Sequence, residues 1–119
     1  MCEIKRGEVY LVDLGDTEGS VQGGVRPAII LQNDIGNRFS PTTLICPLTS
    51  KKKKNMPTHV TLPTTTGLAK ESVALCEQIR VVDKARLTKK VCDVADENII
   101  QEINKSIMVS FGLCEVTRG

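Results

Sequence analysis

Gly23-Gly24-Val25-Arg26-Pro27 sets an arginine just after a flexible glycine pair and just before a proline that fixes the backbone, so Arg26 leaves the chain at a defined angle. The same segment also suits a turn in which Arg26 makes a surface ion pair. Thr49 and Ser50 end an apolar run with two hydroxyls and lead into Lys51, Lys52, Lys53 and Lys54, four consecutive positive charges. The hydroxyls can satisfy loop backbone groups and the lysines can form a solvated loop; the alternative is a surface for a polyanion. Glu77-Gln78-Ile79-Arg80 places both signs of charge and an amide at another strand end, either as a functional cluster or as a cross-strand salt bridge.

Other catalytic inventories fail. The one histidine, His59, rules out a two-histidine acid–base pair within a single chain and reads as a strand-end residue. GxSxG, HExxH, P-loop and GxGxxG patterns are absent, which disfavours the corresponding hydrolases, nucleotide-dependent kinases and dinucleotide enzymes. The five cysteines (Cys2, Cys46, Cys76, Cys92, Cys114) are odd in number and form no CxxC pair, so neither a disulfide framework nor a zinc knuckle is signalled and no metal site is expected. Cys46 and Cys76 fall in apolar runs where packing is the expected role, and Cys2 and Cys114 near the termini are the more reactive candidates. Three aromatic residues are too few for a base-stacking platform, so any RNA contact must be carried by polar groups.

The elements that hold these residues follow from periodicity. Strand formers gather in Glu8–Asp13, Arg26–Gln32, Thr42–Thr49, His59–Leu62, Ser72–Glu77 and Arg80–Asp83, with Pro41, Pro57 and Pro63 at their margins. Pro47, inside the third run, implies an edge or a bulge. From Glu97 the period changes: Ile99, Ile100, Ile103, Ile107 and Phe111 recur at helical spacing, with Asp96 as N-cap and Gly112 as the residue that ends the helix. One helix can bury such a stripe only against the preceding sheet. The fold class is therefore mainly β with α: an antiparallel sheet curled into a small barrel with one C-terminal helix packed on it. At 119 residues, 40% hydrophobic and 25% charged, the chain fits one globular domain, residues 1–119. Its net charge of +2 does not by itself imply nucleic acid. The lack of a membrane-length apolar run or a signal-peptide-like N-terminus leads to the expectation of a cytoplasmic protein.

Taken in order, Lys5-Arg6-Gly7-Glu8-Val9-Tyr10, Gly19 to Pro27, Gln32-Asn33-Asp34, Leu48-Thr49-Ser50-Lys51, Pro57-Thr58-His59-Val60 and Glu77-Gln78-Ile79-Arg80 resemble the MazF/PemK family over nearly the whole chain, and most of all the MazF toxins of Gram-positive bacteria. The resemblance implies an SH3-like curled barrel with a C-terminal helix and a homodimer. It also implies an endoribonuclease, independent of metal and cofactor, that cuts single-stranded RNA at a short sequence. Cleavage would proceed by attack of the ribose 2′-hydroxyl, leaving a 2′,3′-cyclic phosphate and a 5′-hydroxyl. The family's catalytic arginine and threonine fall on Arg26 and Thr49. Arg26, always charged, suits stabilisation of the transition-state phosphate, with proton delivery to the leaving oxygen as a second role; Thr49 can donate its hydroxyl to the same phosphate. Glu77 and solvent both stand as acceptors of the 2′-proton. Ser20, Gln22, Asn33, Ser50, Gln78 and Arg80 are expected to contact RNA and its base edges, and Lys51 to Lys54 to steer its backbone. The resemblance further implies neutralisation by a MazE-like antitoxin whose acidic disordered tail crosses the RNA groove, and no membrane partner. Two alternatives remain at this level: a noncatalytic module on the same fold, such as a gyrase poison, and a cysteine-based sensor.

Overall fold

Strand formers dominate Glu8–Asp13, and this segment forms β1. The computed structural model describes residues 3–51 and 55–115. Cys2 and Lys52 to Lys54 lie outside the described residues. β1 pairs antiparallel with β2 (Val25–Ile30), from Val9 opposite Ile29 to Asp13 opposite Val25, across the glycine-rich loop. β2 begins and ends earlier than its apolar run, because Leu31 and Gln32 both turn their amides to the Leu44 carbonyl. A short helix that the sequence reading lacks, α1 (Asp34–Phe39), follows at once, with Asn33 as its N-cap. β3 (Thr42–Thr49) is the organising strand. It pairs with β2 on one side; on the other, Thr42–Ile45 pair with β6 (Arg80–Asp83) and Leu48–Thr49 with β5 (Ser72–Leu75).

This division corrects the expectation for Pro47. The proline lies fully buried in a central strand, opposite Ala28, with no register shift in that ladder. It occupies the gap where β6 has stopped pairing and β5 has not yet begun, so its missing N–H removes no ladder bond on that side. β4 (His59–Leu62) adds to β5, and β7 (Leu87–Asp93), a second element absent from the sequence reading, adds to β1 with two register shifts. The strand order β4-β5-β3-β2-β1-β7 is open: the sheet curls as expected, but its outermost strands do not pair. Gly67, beyond β4, comes against β7 so tightly that a Cβ there would lie 2.8 Å from Cys92 Cβ. At φ +106° it also adopts a conformation that favours glycine.

The two faces of the sheet carry separate cores. Val9, Ile29, Cys46, Leu48, Leu62 and Ala74 pack on one face, where Ile99 and Ile103 of α2 (Glu97–Ser110) join them. Val12, Ala28, Ile30, Ile45 and Val82 form the other. Asp96 caps α2 by accepting from the amides of Asn98 and Ile99, at 2.9 and 3.4 Å. Gly112, at φ +73°, closes the far end: its amide bonds Val109 O and that of Leu113 bonds Met108 O, the paired arrangement of a Schellman motif. Phe111, which the periodicity placed on the buried stripe, instead caps the helix and is exposed.

Candidate active site

Arg26 stands in β2 opposite Val12 of β1, at the end of the face that carries Ala28 and Ile30. The β2–β3 ladder ends where Ala28 faces Pro47; Arg26 and Thr49 each lie two residues beyond that pair, one on each strand. Arg26 Nε donates to the Gly23 carbonyl at 2.8 Å, which ties one side of the guanidinium to the loop. Both Nη groups have no partner among the described residues, so the outer fork is available to an anion. Thr49 is only 2% exposed, and its Oγ1 accepts from the Lys51 amide at 3.2 Å. Because the oxygen accepts there, the hydroxyl proton is left to donate. A phosphate that takes this proton must displace part of what covers the side chain.

A cleft of about 640 Å³ opens beside Arg26, lined also by Gly23, Gly24, Ser50, Lys70 and Ser72, with Leu48 among its apolar residues. Thr49 lies between two of these lining residues without lining the cleft itself. Neither Lys70 nor Ser72 is among the site residues expected from the sequence. Their signal was the basic residue in Gly67-Leu68-Ala69-Lys70, and the Ser72 hydroxyl fixes that segment by donating to Lys70 O at 3.0 Å. A second cleft of about 690 Å³ lies between β4 and α2, lined by His59, Glu102, Lys105 and Ser106, and holds neither Arg26 nor Thr49.

Glu77 and Gln78 leave the turn after β5 in different company. Gln78 Oε1 accepts from the Gln22 amide at 2.8 Å, and its Nε2 donates to Ser20 O at 3.0 Å, so one side chain joins the glycine-rich loop to the body. Gln22 Oε1 is buried without a hydrogen-bond partner. Glu77 engages β4 and its approach: Thr58 Oγ1 donates to Oε1 at 3.3 Å, and His59 Nε2 lies 2.8 Å from Oε2. Its carboxylate is thus engaged by Thr58 and His59. Arg80 donates from Nη1 to Leu14 O at 3.3 Å, at the base of the same loop. Ser50 and Lys51 are exposed beside Thr49.

Asn33 does not join this group. Its side chain accepts from Gly36 N at 2.8 Å as the cap of α1, past the far end of β2 and on the order of 20 Å along the strand from Arg26. Cys46 and Cys76 are fully buried, with sulfurs 3.8 Å apart. The hydrogen bond to Cys76, and then burial, hold the Cys46 thiol well above the usual range. Burial, followed by the charge of Asp93, also raises Cys92. Among the described residues, no cluster of three or more His, Cys, Asp or Glu is placed to hold a metal ion.

Residues 5–111 match the family described as PemK-like, MazF-like toxin of type II toxin–antitoxin system. A Bacillus subtilis (strain 168) protein named endoribonuclease EndoA is 44% identical over 114 residues, covering 94% of this chain and 97% of that protein. The crystal structure of MazF from Deinococcus radiodurans superposes with a TM-score of 0.80 at 25% identity, over 94% of this chain and 99% of that one. The fold is also that of a mycobacterial endoribonuclease solved in complex with its cognate antitoxin (TM-score 0.79, 24% identity, 95% and 99% coverage). By family match and by identity over nearly its full length, the chain belongs to the PemK-like, MazF-like toxins of type II toxin–antitoxin systems.

Proposed function

We propose that this chain, an endoribonuclease toxin, cuts single-stranded RNA without a metal ion through Arg26 and Thr49. The ribose 2′-oxygen attacks the adjacent phosphorus as the bond to the 5′-oxygen breaks, giving a 2′,3′-cyclic phosphate and, once the leaving oxygen is protonated, a 5′-hydroxyl. Charge builds on the non-bridging oxygens and the leaving oxygen, where preorganised donors count most. The observation that supports this reading is that Arg26 and Thr49 each lie two residues beyond the terminal Ala28–Pro47 pair of the β2–β3 ladder, so that register carried on brings the open fork of Arg26 level with the Thr49 hydroxyl. With Glu77 bonded to Thr58 and His59, this reading gives the 2′-proton to solvent.

Ser20, Gln22, Ser50 and Arg80, around the loop and the cleft, read the exposed base edges, while Lys51 and the lysines after it steer the backbone. The protein acts in the cytoplasm as a homodimer, and no described helix is long and apolar enough to cross a membrane. Its antitoxin places an acidic, disordered tail on the basic surface that RNA would use.

Cleavage of an RNA pool in EDTA, with the new 5′-ends mapped, tests this. Wild type is expected to give cuts clustered at one short sequence. Arg26→Ala and Thr49→Ala each lose at least about a hundredfold in kcat, as removal of a transition-state donor does. Full activity in both variants overturns the assignment of the site.

A further inference from the structure

The loop between β1 and β2 holds itself together only near its base and within its tip. Leu14 N donates to Gly24 O and Gly24 N to Gly15 O, each at 2.9 Å, and Thr17 Oγ1 donates to Val21 O at 2.8 Å. Gly23 fits so closely under Thr17 that a Cβ there would meet Thr17 Oγ1 at 2.4 Å. Among the described residues, the side-chain link from the tip to the rest of the molecule is the Gln78 amide, bonded to Ser20 O and to Gln22 N. The next residue, Gly23, supplies the carbonyl that receives Arg26 Nε. The loop also buries Gln22 Oε1 unpaired, an arrangement that costs free energy and needs an anchor to persist.

Resting on the proposed site, we infer that Gln78 is a positioning residue for catalysis: its amide clamps Ser20 and Gln22 so that the Gly23 carbonyl aligns the Arg26 guanidinium with the scissile phosphate. The fork geometry of arginine makes orientation count, since two parallel donors reach two phosphate oxygens only when the plane is set. Gln78 thereby acts on turnover through Arg26. A glutamine that served only to read a base would act on substrate choice instead.

The test uses the full chain and single-stranded oligoribonucleotides containing the wild-type cut sequence and near variants of it. Gln78→Ala is expected to lower kcat at least tenfold by a common factor on every sequence cut, with KM within about twofold. Gln78→Glu, which keeps the acceptor for Gln22 N and loses the donor to Ser20 O, falls between the two. In an Arg26→Lys background, which has no Nε–H for Gly23 to hold, Gln78→Ala removes no further activity. Independently of turnover, the Arg26 Nε–H signal in nitrogen-15 NMR exchanges with solvent at least tenfold faster in Gln78→Ala. The inference is overturned if Gln78→Ala leaves kcat and Nε–H protection unchanged, if its loss lies in KM with a new cut sequence, or if the losses multiply in the Arg26→Lys background. Full activity of Arg26→Ala would instead sink the underlying reading of the site, and the exchange measurement would still decide whether Gln78 sets the guanidinium.

Discussion

Cys46 keeps its proton at a pH where an exposed cysteine has lost it, because its thiol bonds Cys76 inside the core. The unfolded chain ionises this group near pH ~8.5. Above that value the folded state binds the extra proton, so the associated stability is complete below it and is lost as pH rises through the folded value. Chemical denaturation at pH 7.5 and 9.5 is expected to show wild type losing more stability than Cys46→Ala over that interval. Equal losses would show that the thiol does not couple to folding. At this scale the sequence was readable where residue type and run agree: Cys46 and Cys76, in apolar runs, are fully buried core residues. It misled at Asn33, since an amide before a short segment reads equally well as a ligand contact or a cap. Glu77 was ambiguous for a related reason, because the partners that occupy it, Thr58 and His59, come from another strand.

Elements with a buried periodic face were legible, and those without one were not. α2 showed its isoleucine stripe and both caps; Asp96→Ala should cost about 1 kcal/mol and lower Tm by a few degrees in a thermal melt. β1, β3, β4 and β6 have the boundaries their strand formers suggested. β7 was missed because almost all of Leu87–Asp93 is exposed, leaving no alternation to detect, and α1 because six residues containing Gly36 are too short for a helical period. The open seam between Gly67 and Cys92 could not be foreseen, since it depends on two segments far apart in sequence. Gly67→Ala combines a positive φ with a Cβ at 2.8 Å from Cys92, and a loss of about 2 kcal/mol or more in denaturant unfolding is expected. An unchanged midpoint would mean that the seam yields freely.

For the molecule as a whole, the small net charge conceals where the charges lie. Lys70 lines the cleft beside Arg26 and Lys51 follows its lining residue Ser50, both lysines exposed. In RNA-binding titrations against salt, replacing either by alanine should reduce the slope of log affinity on log salt by about 0.7, the value for one single-strand phosphate contact. The outer margin of β7 has a different bearing. Among the described residues β7 pairs with β1 alone, and its other row of amides and carbonyls has no ladder, which on a flat apolar ribbon would template fibril-like stacking of one molecule on the next. Here that margin carries Lys89, with Lys90 held by Glu8 and Asp93, and the ribbon is kinked twice against β1. Growth of an unbounded stack on this margin would bring cation against cation at each added layer, so self-repulsion opposes it there.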